Sequence, residues 1–159
     1  MISRRWLLVL CSVAAAACAS SYTPRSNSRA DLQRYVERAA AVVREEGAAA
    51  CTTFQGPAWM AGDYYIFINE ADSDVMVCHP MRPDLIGQVQ TNLQDANGKY
   101  FVPEMKAAAS SPSGGGWVEY VWPRPGQTNP VPKSTYVMSV TGPDGKRYVV
   151  GSGGYEMTP

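Results

Sequence analysis

The sequence predicts an α+β domain: an antiparallel sheet of short strands with helices packed against it. Three observations predict it. Residues 28–50 carry apolar side chains at helical spacing, residues 63–79 and 117–151 alternate with a period of two, and Pro143-Asp144-Gly145 is hairpin-turn chemistry. Strands grouped into runs, with helices between the runs and not alternating with each strand, belong to an antiparallel sheet with helices packed on one face. The chain has 159 residues, enough for one domain with one core.

The N-terminus reads as an export signal. Arg4 and Arg5 precede an apolar run from Trp6 to Ala17, which is too short to span a bilayer. Two cleavage patterns overlap. Ala17-Cys18-Ala19 fits small-x-small processing, while Ala15-Ala16-Ala17-Cys18 followed by small residues resembles a lipobox, with Cys18 as the lipidated residue but no Leu three positions before it. Ser3-Arg4-Arg5-Trp6-Leu7-Leu8 also resembles a twin-arginine signal. All of these place the mature protein outside the cytoplasm. The expected division is a signal at 1–19, a polar tether at 20–28 and one domain at 29–157. With no second apolar run, the expectation is a protein that meets a membrane only through a lipid anchor and carries no cytoplasmic output module.

A helix is expected from Ser28 to Ala50, with Ser28 and Asp31 resembling a capping box and Leu32, Tyr35, Val36, Ala39, Val42 and Val43 on one face. Gly47 weakens its last turns. Trp59 is an anchor in the following loop. Asp63–Asn69 and Val75–His79 form a hairpin, with Tyr65 and Phe67 on one face and Tyr64, Ile66 and Ile68 on the other. Asp72 and Asp74 belong to its turn; the Gly and Glu spacing of a calcium loop is missing. Residues 81–97 are loop with about a turn of helix. Asp63 and Asp95 are turn and capping residues. Lys99–Ser110 is a second helix with Phe101, Val102, Met105 and Ala109 buried. Trp117–Trp122 is an aromatic strand, with Val118, Tyr120 and Trp122 sharing a face. A Pro-rich loop, a strand at Lys133–Val140 and a last strand at Arg147–Gly151 complete the order: helix, hairpin, helical crossover, three-strand meander.

Composition excludes some functions. Net charge is zero, 18% of residues are charged and no basic run exists, so nucleic acid is not an expected partner. Cys51 and Cys78 remain in the mature domain; in an oxidising compartment they pair as a disulfide or stay as small buried hydrophobes. With one histidine, His79, neither zinc nor haem is expected, and no cofactor motif is present. Nucleophile-elbow, zinc-protease and nucleotide-loop motifs are missing, so an enzyme would have to be built from scattered carboxylates and is not expected.

Gly62–Phe67, Cys78-His79-Pro80, Asp84–Gly87, Asp95–Lys99, Gly116–Pro123, Lys133–Tyr136 and Val150–Tyr155, in that order, resemble the single Cache domain, a PAS-like extracytoplasmic sensor family. The resemblance implies a PAS-like antiparallel sheet of about five strands, a long N-terminal helix packed on one face, and a pocket for small molecules, often short carboxylates, on the other. It implies a role in signal transduction or chemotaxis, with a membrane receptor or kinase as partner. A small anion needs apolar walls and a fixed positive charge. Lys133 is the candidate cation, and His79, Tyr65, Tyr120 and Tyr136 are candidate hydrogen-bonding groups. Phe67, Trp59, Trp117 and Trp122 are candidate walls. The alternative is an envelope structural or interaction protein with the same fold and no ligand.

Overall fold

The computed structural model describes residues 21–159. The export signal, its cleavage patterns and Cys18 lie outside the described residues. Helix α1 spans Arg29–Glu46, followed by a 3-10 turn at Gly47–Ala49 and the short helix α2 at Ala50–Phe54. The strands are β1 (Phe67–Glu70), β2 (Met76–Cys78), β3 (Gly116–Pro123), β4 (Pro130–Thr141) and β5 (Arg147–Tyr155), and α3 covers Phe101–Ala109 before β3. They form one antiparallel sheet in the order β2-β1-β5-β4-β3. Hairpin and meander therefore join through the central β1–β5 pair, and the α3 segment carries the chain from one edge to the other.

Ser28 caps α1 by accepting the Asp31 N–H. The capping box closes only halfway, because the Asp31 carboxylate turns to Ser26 and Arg34. Gly47, at φ 60°, ends α1 where sequence periodicity suggested it would continue; the left-handed turn favours a residue without Cβ. α2 then directs Cys51 toward β2, where it forms a disulfide with Cys78 at a Cα separation of 5.3 Å.

The sheet separates two cores. On one face α1 and α2 bury Leu32, Tyr35, Ala39, Val43 and Phe54 against Ile66, Ile68, Val140, Tyr148 and Val150. On the other, α3 buries Phe101, Val102 and Met105 against Phe67, Val118, Tyr120, Val137 and Val149. The two helices thus lie on opposite faces, not together on one. The residues read as a tether meet the domain at Tyr22, whose ring stacks on Trp59, and at Asn27, which donates to the carbonyls of Tyr155 and Glu156.

β5 runs four residues beyond the expected Gly151. Its glycines lie in the sheet where side chains from neighbouring strands cross them. A methyl group on Gly151 would sit 2.4 Å from Phe67 Cζ, and one on Gly153 would sit 2.3 Å from Thr135 Oγ1 and 2.5 Å from Lys133 Cε. β1 is shorter than expected at its start. The outer edge of β3 is occupied: the Asp95 carboxylate accepts the Val121 N–H and Lys99 Nζ donates to the Glu119 carbonyl. Both contacts cover groups that an open edge would offer to another strand.

Candidate functional site

Alternation decides which side chains share a space. Tyr65, Phe67 and Asn69 precede or lie in β1, and Tyr120 and Trp122 lie in β3; all point away from α1. With His79, Met76, Leu85, Leu93, Phe101, Val102 and Met105 they enclose a cavity of about 30 Å³. That is room for about two water molecules, or a few ligand atoms. Two stretches close it. One is α3. The other is the loop after β2, which brings in Leu85 from the 3-10 turn at Pro83–Leu85 and is fixed by Gly87 N–H to the Met76 carbonyl and Gln90 to the Leu85 carbonyl.

Among the expected site residues, Tyr65, Phe67, His79, Tyr120 and Trp122 reach this cavity. Lys133 stands directly behind it. Its side chain is 1% exposed, its ammonium donates to Tyr65 Oη at 2.8 Å, and it lies 4.6 Å and 5.3 Å from the Tyr65 and Tyr155 ring centres. The other three expected residues are elsewhere. Trp59 packs against Tyr35 and Phe54 in the α1 core. Trp117 and Tyr136 pack on each other on the α1 side, with the Arg29 guanidinium 4.6 Å above the Trp117 ring. Their odd or even place in β3 and β4 points them to the helix.

The cavity's polar groups suit an anion. No ion pair among the described residues includes Lys133. Burial lowers its pKa, because removing an ammonium from water disfavours the charged form. Because Tyr65 Oη accepts from Lys133, its own O–H proton remains available to an acceptor. Burial raises the Tyr65 pKa, so that proton stays in place. Asn69 and His79 also line the cavity, and Asn69 Nδ2 and His79 Nδ1 are buried without a hydrogen-bond partner among the described residues. Burial, with the charges of Lys133 and Arg82 adding to it, holds the His79 pKa down to about 3, so the imidazole is neutral. No carboxylate belongs to the cavity wall. The arrangement is apolar at one end and offers hydrogen-bond donors backed by an ammonium at the other. No group of three or more His, Cys, Asp or Glu side chains among the described residues is placed to hold a metal.

Asn69, Met76, Phe101 and Met105 were not expected at the site. Asn69 follows Tyr65 and Phe67 at the same period and was legible on that ground. Phe101 and Met105 were read as a helix's buried face, with no sign of which face of the sheet they would meet. Leu85 and Leu93 sit in a stretch without periodicity and gave no signal.

A sheet with a long helix on one face and a small, donor-lined cavity on the other is the layout of a PAS-like sensor domain. The chain belongs to the Single Cache domain 2 family, which matches residues 17–157. It is similar to the periplasmic sensor domain of a chemotaxis protein, 32% identical with a TM-score of 0.67 over 80% of this chain and 94% of that one. It is also similar to a Cache chemosensory domain described for carboxylic acid recognition, 29% identical with a TM-score of 0.65 over 80% and 92%. A methyl-accepting chemotaxis protein from Vibrio parahaemolyticus, 20% identical with a TM-score of 0.65 over 79% and 86%, shares the fold. Among curated proteins, the methyl-accepting chemotaxis protein McpP of Pseudomonas putida is 36% identical over 93 residues, covering 58% of this chain and 16% of that receptor. No helix among the described residues is long and apolar enough to cross a membrane.

Proposed function

We propose that this protein is an extracytoplasmic binding module for a short carboxylate or similar metabolite, linked to signal transduction or chemotaxis. The observation that carries the reading is the buried Lys133 amine, in no ion pair among the described residues, behind a cavity whose wall holds no acid. An unpaired buried charge is costly, and a carboxylate in the cavity supplies the missing negative charge through Tyr65 Oη. Tyr65 O–H, Asn69 Nδ2 and His79 Nδ1 are the groups that meet its oxygens, and Phe67, Met76 and Phe101 flank an alkyl tail. The small volume favours two- or three-carbon acids. The recognition of carboxylic acids by a chain 29% identical supports this reading. The likeness to the periplasmic sensor domain of a chemotaxis protein supports a sensor role, with a membrane receptor or kinase as the partner on this reading. On this reading residues 1–19 are an export signal that takes the module out of the cytoplasm, and a lipid on Cys18 would hold it at a membrane.

The test is calorimetric titration of the protein with acetate, propionate, pyruvate, succinate and several amino acids. The expected result is saturable binding of a short monocarboxylate and weaker or no binding of succinate, whose second charge would enter apolar walls. A flat result across the series overturns the reading and leaves the fold as an envelope scaffold without a ligand.

A further inference from the structure

The cavity has a neighbour. A cleft of about 120 Å³ lies outside it, lined by Arg82 and Met81 from the loop after β2 and by Arg124, Pro125 and Gln127 from the turn after β3. Tyr65 and Trp122 line both spaces, so these two rings form the wall between them. The Arg82 guanidinium stands 5.9 Å from the Trp122 ring centre, and the Arg124 guanidinium 4.5 Å from that of Tyr155, which in turn flanks Lys133. Positive groups thus run from the surface inward: two arginines at the cleft, then the lysine behind Tyr65.

We propose that this cleft is an outer docking subsite for the same small carboxylate, held briefly between Arg82 and Arg124 before it passes the Tyr65–Trp122 wall. The proposal rests on the carboxylate reading of the inner cavity. Each guanidinium has five N–H donors. Asp84 takes two from Arg82, at 2.8 Å from Nε and 2.6 Å from Nη2, which fixes the group and leaves donors over. Arg124 pairs through Nη1 with Asp63 and through Nη2 with Glu156 at 3.3 Å, leaving Nε unused by those acids. None of the three acids lines the cleft, whereas both arginines do. They orient the arginines and also temper their charge, which keeps the outer subsite weak. Weak outer and strong inner binding is what transfer requires, since a tight first stop would trap the anion at the surface. Arg82 also acts inward: its charge is among the causes that keep His79 neutral. Trp122 is half-buried near the end of an edge strand, and its ring packs edge-on against Phe101 and Tyr120 on the cavity side with Arg82 on the cleft side.

The experiment is stopped-flow tryptophan fluorescence with propionate as probe, comparing wild type, Arg82→Gln/Arg124→Gln and Asp84→Asn. In the double variant the association rate constant should fall about tenfold at low salt, with dissociation changed less than about twofold, and the difference should vanish at high salt. Asp84→Asn removes an exposed acid with little risk to the fold and should raise the association rate. Association rates that ignore both changes, or a loss confined to dissociation, overturn the outer subsite while leaving the inner one standing. Lys133→Met separates the two sites further. In that variant propionate should still shift the Trp122 indole N–H and Arg124 Nε–H resonances weakly, without the inner site's saturation. Still resonances there refute the subsite, and this titration decides even if wild type shows no binding at Lys133.

Discussion

Replacing Lys133 with methionine tests the physical core of the proposed function. Methionine keeps the length and apolar stem of the side chain and removes the charge. In the ligand-free protein the ammonium gains a charged hydrogen bond to Tyr65 Oη and contacts with two rings, together worth about 3–6 kcal/mol. Against this stands a desolvation cost of roughly several kcal/mol for a buried ion without a counter-ion. The terms are of similar size, so the variant's unfolding free energy should lie within about 2 kcal/mol of wild type, or above it. Ligand changes the balance. At about a hundredfold excess over Kd, propionate should stabilise wild type by about 2.7 kcal/mol, or roughly 8–10 °C in Tm for a domain of this size. It should leave Lys133→Met unmoved. The pH dependence supplies a second check. Burial lowers the folded pKa of Lys133 below the unfolded value of 10.5. Between the two values the unfolded chain binds the extra proton, so wild-type stability rises with pH toward 10.5, and this rise is absent in the methionine variant. Differential scanning calorimetry across pH, with and without propionate, reads both effects. Loss of more than about 4 kcal/mol on substitution would make Lys133 a structural ion and refute the reasoning, as would equal stabilisation of both proteins by propionate.

Four further outcomes follow from the structure. Reducing the Cys51–Cys78 bond, or replacing both residues with alanine, should cost about 3–4 kcal/mol in urea unfolding, given the separation of 27 residues; unchanged stability on reduction would refute a structural role for the bond. Gly153→Ala should destabilise by about 1–3 kcal/mol and weaken carboxylate binding, because the new methyl displaces Thr135 and Lys133; calorimetry reads both. Asp95→Ala removes the acceptor for the Asn97, Lys99 and Val121 N–H groups and should cost about 2–3 kcal/mol, read as a lower urea midpoint at constant slope. His79 is neutral when folded and takes a proton when unfolded below its ordinary value of 6.5. Stability should therefore fall from pH 6.5 downward by about 1.4 kcal/mol per pH unit, before the carboxylates begin to titrate, and His79→Gln should flatten that slope.

The fold was largely legible because its signals are local. The 3.6-residue stripe of α1, the alternation of Tyr65 through Ile68 and of Trp117 through Trp122, and the Asp-Gly turn at 144–145 each report on nearest neighbours in sequence. What misled were features whose meaning depends on a distant strand. The last strand, expected to end at Gly151, runs on to Tyr155, with Phe67 passing over Gly151 and Thr135 and Lys133 over Gly153. The helix around 99–110 was visible, but the sequence carries nothing about the face of the sheet it will cover. Sheet order fixes that, and the order comes from the long-range β1–β5 pair.

The site was legible in part for the same reason. Period-two reading placed Tyr65 with Phe67 and Tyr120 with Trp122 correctly, since those pairs share a strand and a face. Alternation alone does not say whether the face of Trp117 or that of Tyr120 is hollow, so aromatics of both faces are candidates, and Trp59, Trp117 and Tyr136 serve the α1 core. Register resolves the question. Lys133 is paired with Tyr120 on one side and Tyr155 on the other, and cross-strand partners share a face. Shifting β4 by one residue would send Lys133 to the α1 side and Tyr136 to the cavity. The charge therefore stands behind the cavity because of the same backbone pairing that keeps Trp117 under α1. A substitution that loosened the β3–β4 register should damage ligand binding and the helix-side core together, without touching a single residue of the cavity wall.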